Sequence, residues 1–213
     1  MDTPKIAVVA SVAAVALALS GCSTGSAEGS RTSPSAAVKT SPAPDSTTKN
    51  PSPMKSNTYK PASPEGPAEN VPVPKRPALV NEYSANGAAA FAKYYFELLN
   101  YTIETNDAKL ISKVTSPDCD VCIESTIDSA SRAQKSGKWQ VGGKHHLKVL
   151  DSYISGKHLA VVTVQYTAEA SQFYLVPNKV DSEFYKLEAT QAGLGLEFDK
   201  QWKIYSIVGD EGR

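Results

Sequence analysis

The chain has 213 residues with 22 basic and 22 acidic side chains, so its formal net charge is zero. That balance excludes the basic surplus with which nucleic-acid binders meet phosphate. Hydrophobic residues make up 41% of the chain and the mean hydropathy is −0.29, which excludes both a wholly unstructured chain and a multi-span membrane protein. Three cysteines are too few for a disulfide scaffold. The composition is split, however: 11 of the 14 prolines fall in residues 23–80 and 16 of the 17 aromatics in 81–213. Only the second segment has the material for a core.

The N-terminus reads as a lipoprotein signal, residues 1–21. Ile6 to Leu19 is an apolar run of fourteen residues interrupted only by Ser11. As a helix it would span ~21 Å, short of the ~30 Å hydrocarbon core, so it is expected to be a signal h-region and not a membrane anchor. Leu19-Ser20-Gly21-Cys22 follows and resembles the bacterial lipobox, in which small residues admit the chain to a narrow peptidase cleft. The resemblance implies that the Cys22 sulfur takes a diacylglycerol and that cleavage after Gly21 leaves Cys22 as the mature N-terminus. The n-region is weakly basic, because Asp2 offsets Lys5. The lipid bilayer is thus an expected partner through Cys22, on the extracytoplasmic face of the cell membrane. The sequon Asn100-Tyr101-Thr102 carries no weight in a bacterial lipoprotein.

Residues 22–80 are Ser, Thr, Pro, Ala and Gly with scattered charge. They offer little apolar surface against chain entropy and are expected to form a disordered tether, spanning ~45 Å as a coil and up to ~180 Å as a stretched polyproline rod.

Residues 81–213 are long enough for one domain with its own core. Their charge is 14 basic against 17 acidic. Ala88, Phe91, Tyr95, Leu98 and Leu99 recur at helical spacing, with Ser84 or Asn86 as the start signal. Asn106-Asp107 opens a short second helix through Leu110, Ile111 and Val114, and a third runs from about Cys119 to Lys135. Strands are then predicted at His146–Ile154, His158–Ala168, Glu183–Gln191, Leu194–Asp199 and Trp202–Val208. Ser171–Asp181, holding Pro177-Asn178, reads as a loop or frayed edge. Helices first and strands after indicate an α+β fold, with N-terminal helices packed on a curved antiparallel sheet.

This order resembles the cone-shaped nuclear-transport-factor-2-like (SnoaL-like) superfamily. The residues that carry the resemblance are the aromatic first helix (Phe91, Tyr94, Tyr95, Phe96), the short helix opened by Asn106-Asp107, and the final Phe198-Asp-Lys-Gln-Trp202-Lys-Ile hairpin. The whole chain is similar to uncharacterised lipoproteins of Gram-positive, actinobacterial-type bacteria, whose C-terminal domain carries a helix followed by Cys-x-x-Cys. The resemblance implies a cone with its ligand site between the first helix and the concave sheet face.

Cys119-Asp120-Val121-Cys122 is the one spacing with chemical character. Export to an oxidising compartment points to a local disulfide. A thioredoxin-type pair lacks its βαβ unit, and Asp118 and Asp120 oppose a thiolate. Zinc would need two more ligands, and His145, His146 and His158 cannot converge. His145 and His146 project to opposite sheet faces, and His158, paired near Tyr153, lies ~27 Å from His145. No metal or cofactor is expected. There is no Gly-x-Ser-x-Gly elbow and no phosphate loop. The resemblance implies that an enzyme of this fold would carry acids inside the cone, for which Asp151, Glu188 and Glu197 are candidates, although such strand residues are as a rule solvated. Phe91, Tyr95, Tyr166 and Trp202 are candidates to line a ligand cavity, or else simply fill the core. With no catalytic constellation, the expectation is a non-enzymatic module binding an envelope protein or a small apolar ligand. The alternative is a cone-fold enzyme, isomerase-, cyclase- or hydrolase-like, acting on a small envelope substrate.

Overall fold

A computed structural model describes residues 58–209. The expected signal segment, the expected lipidation site Cys22 and the expected tether as far as residue 57 lie outside the described residues.

The domain begins earlier than its composition indicates. Residues 58–80, expected as part of the tether, are packed as a strap. Lys60 and Glu69 exchange two backbone hydrogen bonds of 2.9 Å, and Ser63 and Gly66 exchange two more. The Ser63 carbonyl accepts the Trp139 indole N–H at 2.8 Å, and the Pro64 carbonyl accepts the Asn178 N–H at 2.7 Å. Tyr59 donates its hydroxyl to Glu104. The strap therefore contributes mostly acceptors from its backbone, which a reading of side-chain composition does not register. A short 3₁₀ turn, Ala78–Asn81, then places Val80 fully inside the core.

Helix α1 (Ala85–Thr105) starts at Ser84, whose hydroxyl accepts from Gly87 N at 3.0 Å, and ends at Asn106 in the left-handed conformation, φ 56°. Asp107 accepts from Lys109 N at 3.0 Å and opens the single turn α2 (Lys109–Ser112). The third helical region is continuous but not uniform: α3 (Asp120–Cys122), a π turn (Ile123–Ile127) and α4 (Asp128–Ser136). Its first turn is closed by the Cys119–Cys122 disulfide, a four-residue ring of the kind that contributes about 2 kcal/mol in the entropic model.

Seven antiparallel strands follow: β1 (Trp139–Gly142), β2 (His145–Gly156), β3 (Leu159–Ala168), β4 (Ser171–Val176), β5 (Lys179–Phe184), β6 (Leu187–Asp199) and β7 (Gln201–Gly209). They divide into sheets β2-β3-β6-β7 and β1-β4-β5. The registers show these to be one sheet folded across a corner. Gly142 pairs with Ser171 and His145 with Ala168, so the β1–β2 strand runs against β3–β4 without slipping. Ala168 with Leu187 and Ser171 with Phe184 keep one register in the same way. The stretch 171–181 accordingly belongs to a hairpin turning at Asn178, φ 60°, with register shifts on either side of Tyr174, where the sequence reading placed a loop or frayed edge. The predicted break between Glu183–Gln191 and Leu194–Asp199 falls instead at 185–186, with β6 unbroken. Gly193 and Gly195, which weaken the strand signal, lie inside it.

The bend rests on Gly142 and Gly143, at φ 76° and 82°. A Cβ on Gly142 would stand 2.3 Å from the Ala170 carbonyl oxygen. Gly142→Ala should therefore combine left-handed strain with a backbone clash and cost about 1–3 kcal/mol or more. Gly66→Ala, where a Cβ meets nothing within 4 Å, should stay within about 0.5 kcal/mol of the parent. Urea unfolding of the two variants beside the parent checks the contrast.

Candidate functional site

The cone is filled at one end and open at the other. In the filled end Phe91 and Trp202 are 0% exposed and Tyr95 2%, packed with Val80, Leu196 and Ile204. Trp202 donates its indole N–H to the Glu82 carbonyl at 2.9 Å, and its ring meets Phe198 and Tyr83. The Tyr95 hydroxyl lies 3.3 Å from Thr115 Oγ1, and burial pushes its pKa up to about 12. Three of the four aromatics proposed as cavity lining are therefore core. Tyr166 alone of the four faces a cavity.

That cavity, about 440 Å³, lies between the C-terminal half of α1, the third helical region and the inside of the folded sheet. Phe96, Leu99 and Ile103 come from α1, and Ala130 and Ala133 from α4; Tyr166, Phe173, Ala192, Leu194 and Ile207 come from the sheet. The mouth opens between β5 and the helix, where Phe184 is 60% and Val121 48% exposed. The π turn widens the helix here, an irregularity common at functional sites. Ser125, Thr126 and Ser129 add hydroxyls along this wall.

The polar inner corner is built around His145. Asn100 on α1 clasps its peptide group: the amide oxygen accepts His145 N–H and the amide nitrogen donates to His145 C=O, each at 2.8 Å. The ring stacks on Tyr166 with centroids 6.2 Å apart and meets the edge of Phe96. Nδ1 lies 3.1 Å from the Gly143 carbonyl. A carbonyl only accepts, so Nδ1 carries the proton and Nε2 is left as an acceptor. Burial holds the imidazole below its ordinary value of 6.5, with His146 acting in the same sense and the Gly143 carbonyl opposing. Gln140 and Ser171 line the same corner. Other lining groups are committed elsewhere: Thr102 Oγ1 donates to Leu98 O at 2.8 Å, and Asn106 Nδ2 to Lys138 O at 2.7 Å.

No carboxylate or cysteine is among the lining residues. Asp151 is exposed, Glu188 pairs with Lys186 at 2.7 Å, and Glu197 is half-buried on the sheet, so none of the three acids proposed as inward-facing reaches the cavity. His146 points outward to Glu169 at 3.0 Å, and His158 sits in the β2–β3 turn. Among the described residues no three metal-ligating side chains converge. Gln140, Ser171 and Phe173 escape the sequence reading because their strands were not recognised, and Phe184, although inside the predicted strand Glu183–Gln191, was not singled out. His145 escapes because it entered only as a zinc candidate.

The depressed pKa of His145 makes stability depend on pH. Above pH 6.5 the ring is neutral in both folded and unfolded chains and contributes no difference. As pH falls through 6.5 the unfolded chain takes up the proton first, so stability declines on the acid side. In His145→Phe that part of the decline should vanish. Urea midpoints of both chains between about pH 8 and about pH 5 measure it.

No curated protein matches the chain. Among solved structures, the intermembrane space region of the chloroplast protein ARC6 is similar over 61% of this chain and 99% of that one, at 12% identity and a TM-score of 0.46. The profile of a family of unknown function, DUF6318, matches residues 57–207, from the edge of the strap into β7. This chain belongs to that family.

Proposed function

We propose that this protein is a lipid-anchored module of the extracytoplasmic face of the cell membrane, whose domain holds a small apolar molecule inside a cone of the nuclear-transport-factor-2-like type. The observation that carries the reading is the cavity. Its volume of about 440 Å³ falls within the ~300–1,000 Å³ of small-molecule sites, and its apolar wall with a few convergent polar groups is what such sites present. The location, between α1 and the inside of the sheet, supports placing the domain in that superfamily. The anchor is supported by the lipobox ending at Cys22. Two acyl chains hold stably where one is marginal, and the residues between Cys22 and the strap give the domain reach. A catalytic reading has one observation in its favour, a neutral imidazole facing the cavity, but no acid stands beside it to act as its partner.

Two experiments test the proposal. The apolar dye N-phenylnaphthylamine should brighten on binding the purified chain. Ala130→Phe, which puts a ring into the cavity from a wall position 7% exposed, should abolish the signal while leaving the unfolding midpoint unchanged or higher. Equal brightening by parent and variant would refute the cavity as the binding site. For the anchor, Cys22→Ala should accumulate as precursor that takes up no labelled fatty acid; a processed, detergent-partitioning form of that variant would remove the lipoprotein assignment.

A further inference from the structure

We infer that the molecule held in this cavity carries a neutral hydroxyl head on its apolar body, and that His145, Gln140 and Ser171 read that head at the sheet corner. The inference rests on the cavity-binding reading above and adds the chemical class of the ligand.

The three groups come together at Gly143. A Cβ built on that glycine would lie 2.0 Å from Gln140 Nε2 and 3.1 Å from Ser171 Cβ, so only a residue without a side chain lets the amide and the serine approach. The Gly143 carbonyl accepts a hydrogen bond from His145 Nδ1–H, which leaves Nε2 as an acceptor. Gln140 pairs across the ladder with Phe173, and Ser171 with Phe184; all four line the cavity. Among the described residues no hydrogen-bond partner is found for the Gln140 amide, the His145 Nε2 or the Ser171 hydroxyl. None of these atoms is a sealed, unsatisfied polar group either, so their hydrogen-bonding capacity is open to whatever occupies the cavity. Asn100 and the flanking rings of Phe96 and Tyr166 fix the imidazole in place, as selective recognition requires.

The chemistry of the head follows from the donors and acceptors present. An alcohol donates its O–H to Nε2, while the two lone pairs of its oxygen accept from the Gln140 amide and the Ser171 hydroxyl, so every group is satisfied. A carboxylate has no proton for Nε2 and no lysine or arginine in the lining to balance its charge. An ammonium head would meet no carboxylate there, and an unpaired charge is costly to bury. An ether lacks the donor. The apolar body then lies along Leu194, Ala192 and Phe173 toward the mouth at Phe184.

The test uses the full chain at about pH 8, above the ordinary histidine value of 6.5, with bound N-phenylnaphthylamine displaced by dodecanol, dodecyl methyl ether or dodecanoate. Dodecanol should displace the dye at roughly three- to tenfold lower concentration than either competitor, the size of one or two net hydrogen bonds. In His145→Phe, dodecanol and the ether should displace the dye at equal concentrations, whatever the affinity of the variant for the dye. Gln140→Leu provides a second arm that leaves the ring in place and should weaken the preference similarly. In the parent, the His145 Nε2 resonance should move with dodecanol and stay fixed with the ether. Equal displacement by alcohol and ether, or a preference that survives both substitutions, overturns the head-group assignment while the cavity reading stands. Absence of dye binding to the parent removes the cavity reading, and this assignment falls with it.

Discussion

The amide of Asn100 clasping the peptide group of His145 is the contact on which the rest of this domain depends. Two hydrogen bonds of 2.8 Å tie the C-terminal half of the long helix to the second residue after the glycine pair. A sheet strand that turns through two left-handed glycines leaves its peptide groups out of the regular ladder, and buried peptide groups need partners. Asn100 supplies both a donor and an acceptor from one side chain. The corner is closed on its other side by Gly143 N donating to Ala170 O at 3.2 Å and Glu169 N to Lys144 O at 2.9 Å. Helix and sheet are thereby fixed at the point where the sheet changes direction, and the space enclosed by that change is the cavity.

The same helix builds both halves of the cone. Its N-terminal half presents Phe91 and Tyr95 to a wall of Val162, Leu196, Trp202 and Ile204, and this end is packed. Its C-terminal half presents Phe96, Leu99 and Ile103, but here the sheet has turned away and the third helical region stands back across a π turn. Packing at one end secures the fold, so the other end can stay open without the domain depending on it. The sealed end is finished by segment 78–84, which places Val80 in the core and takes the Trp202 indole proton at Glu82. The edge strand β7 is covered by 114–116, with Ser116 N donating to Ile204 O and Ile204 N to Val114 O, which protects it from pairing with another chain.

Much was legible in the sequence because it depends on local pattern. Helix α1, its cap at Ser84 (one of the two candidates, with Asn86), the break at Asn106-Asp107, the helix opened by Cys119 and the closing hairpin are set by spacing and capping chemistry within a few residues, and the structure has them there. Helices before strands gave the α+β class for the same reason. The reading failed where a segment owes its order to distant partners. The strap 58–80 is proline-rich and has no core of its own; it is ordered because Trp139 and Asn178, some 76 and 114 residues away in the chain for the contacts at Ser63 and Pro64, donate to its carbonyls. The hairpin 171–184 looks like loop because its turn holds Pro177-Asn178 and its alternation is short.

The sequence by itself determined the ingredients: an apolar N-terminal run leading to Cys22, a cysteine pair at disulfide spacing, a helix of alternating aromatic faces and a set of strands. Which aromatics are core and which line a site was decided only by the tertiary structure. Phe91, Tyr95, Tyr166 and Trp202 are equivalent as sequence signals, since each is a large ring on an inward face. Their fates differ because the sheet bends between Gly142 and His145, and a bend is set by the pairing of three strands and the clasp of a helix far away in the chain. Likewise a histidine in a strand has no fixed chemistry. His145 becomes a neutral acceptor because burial disfavours its charge and the Gly143 carbonyl claims its one proton, while the adjacent His146 points to solvent and a carboxylate. Local pattern selects elements, and long-range pairing selects which of their faces enclose space.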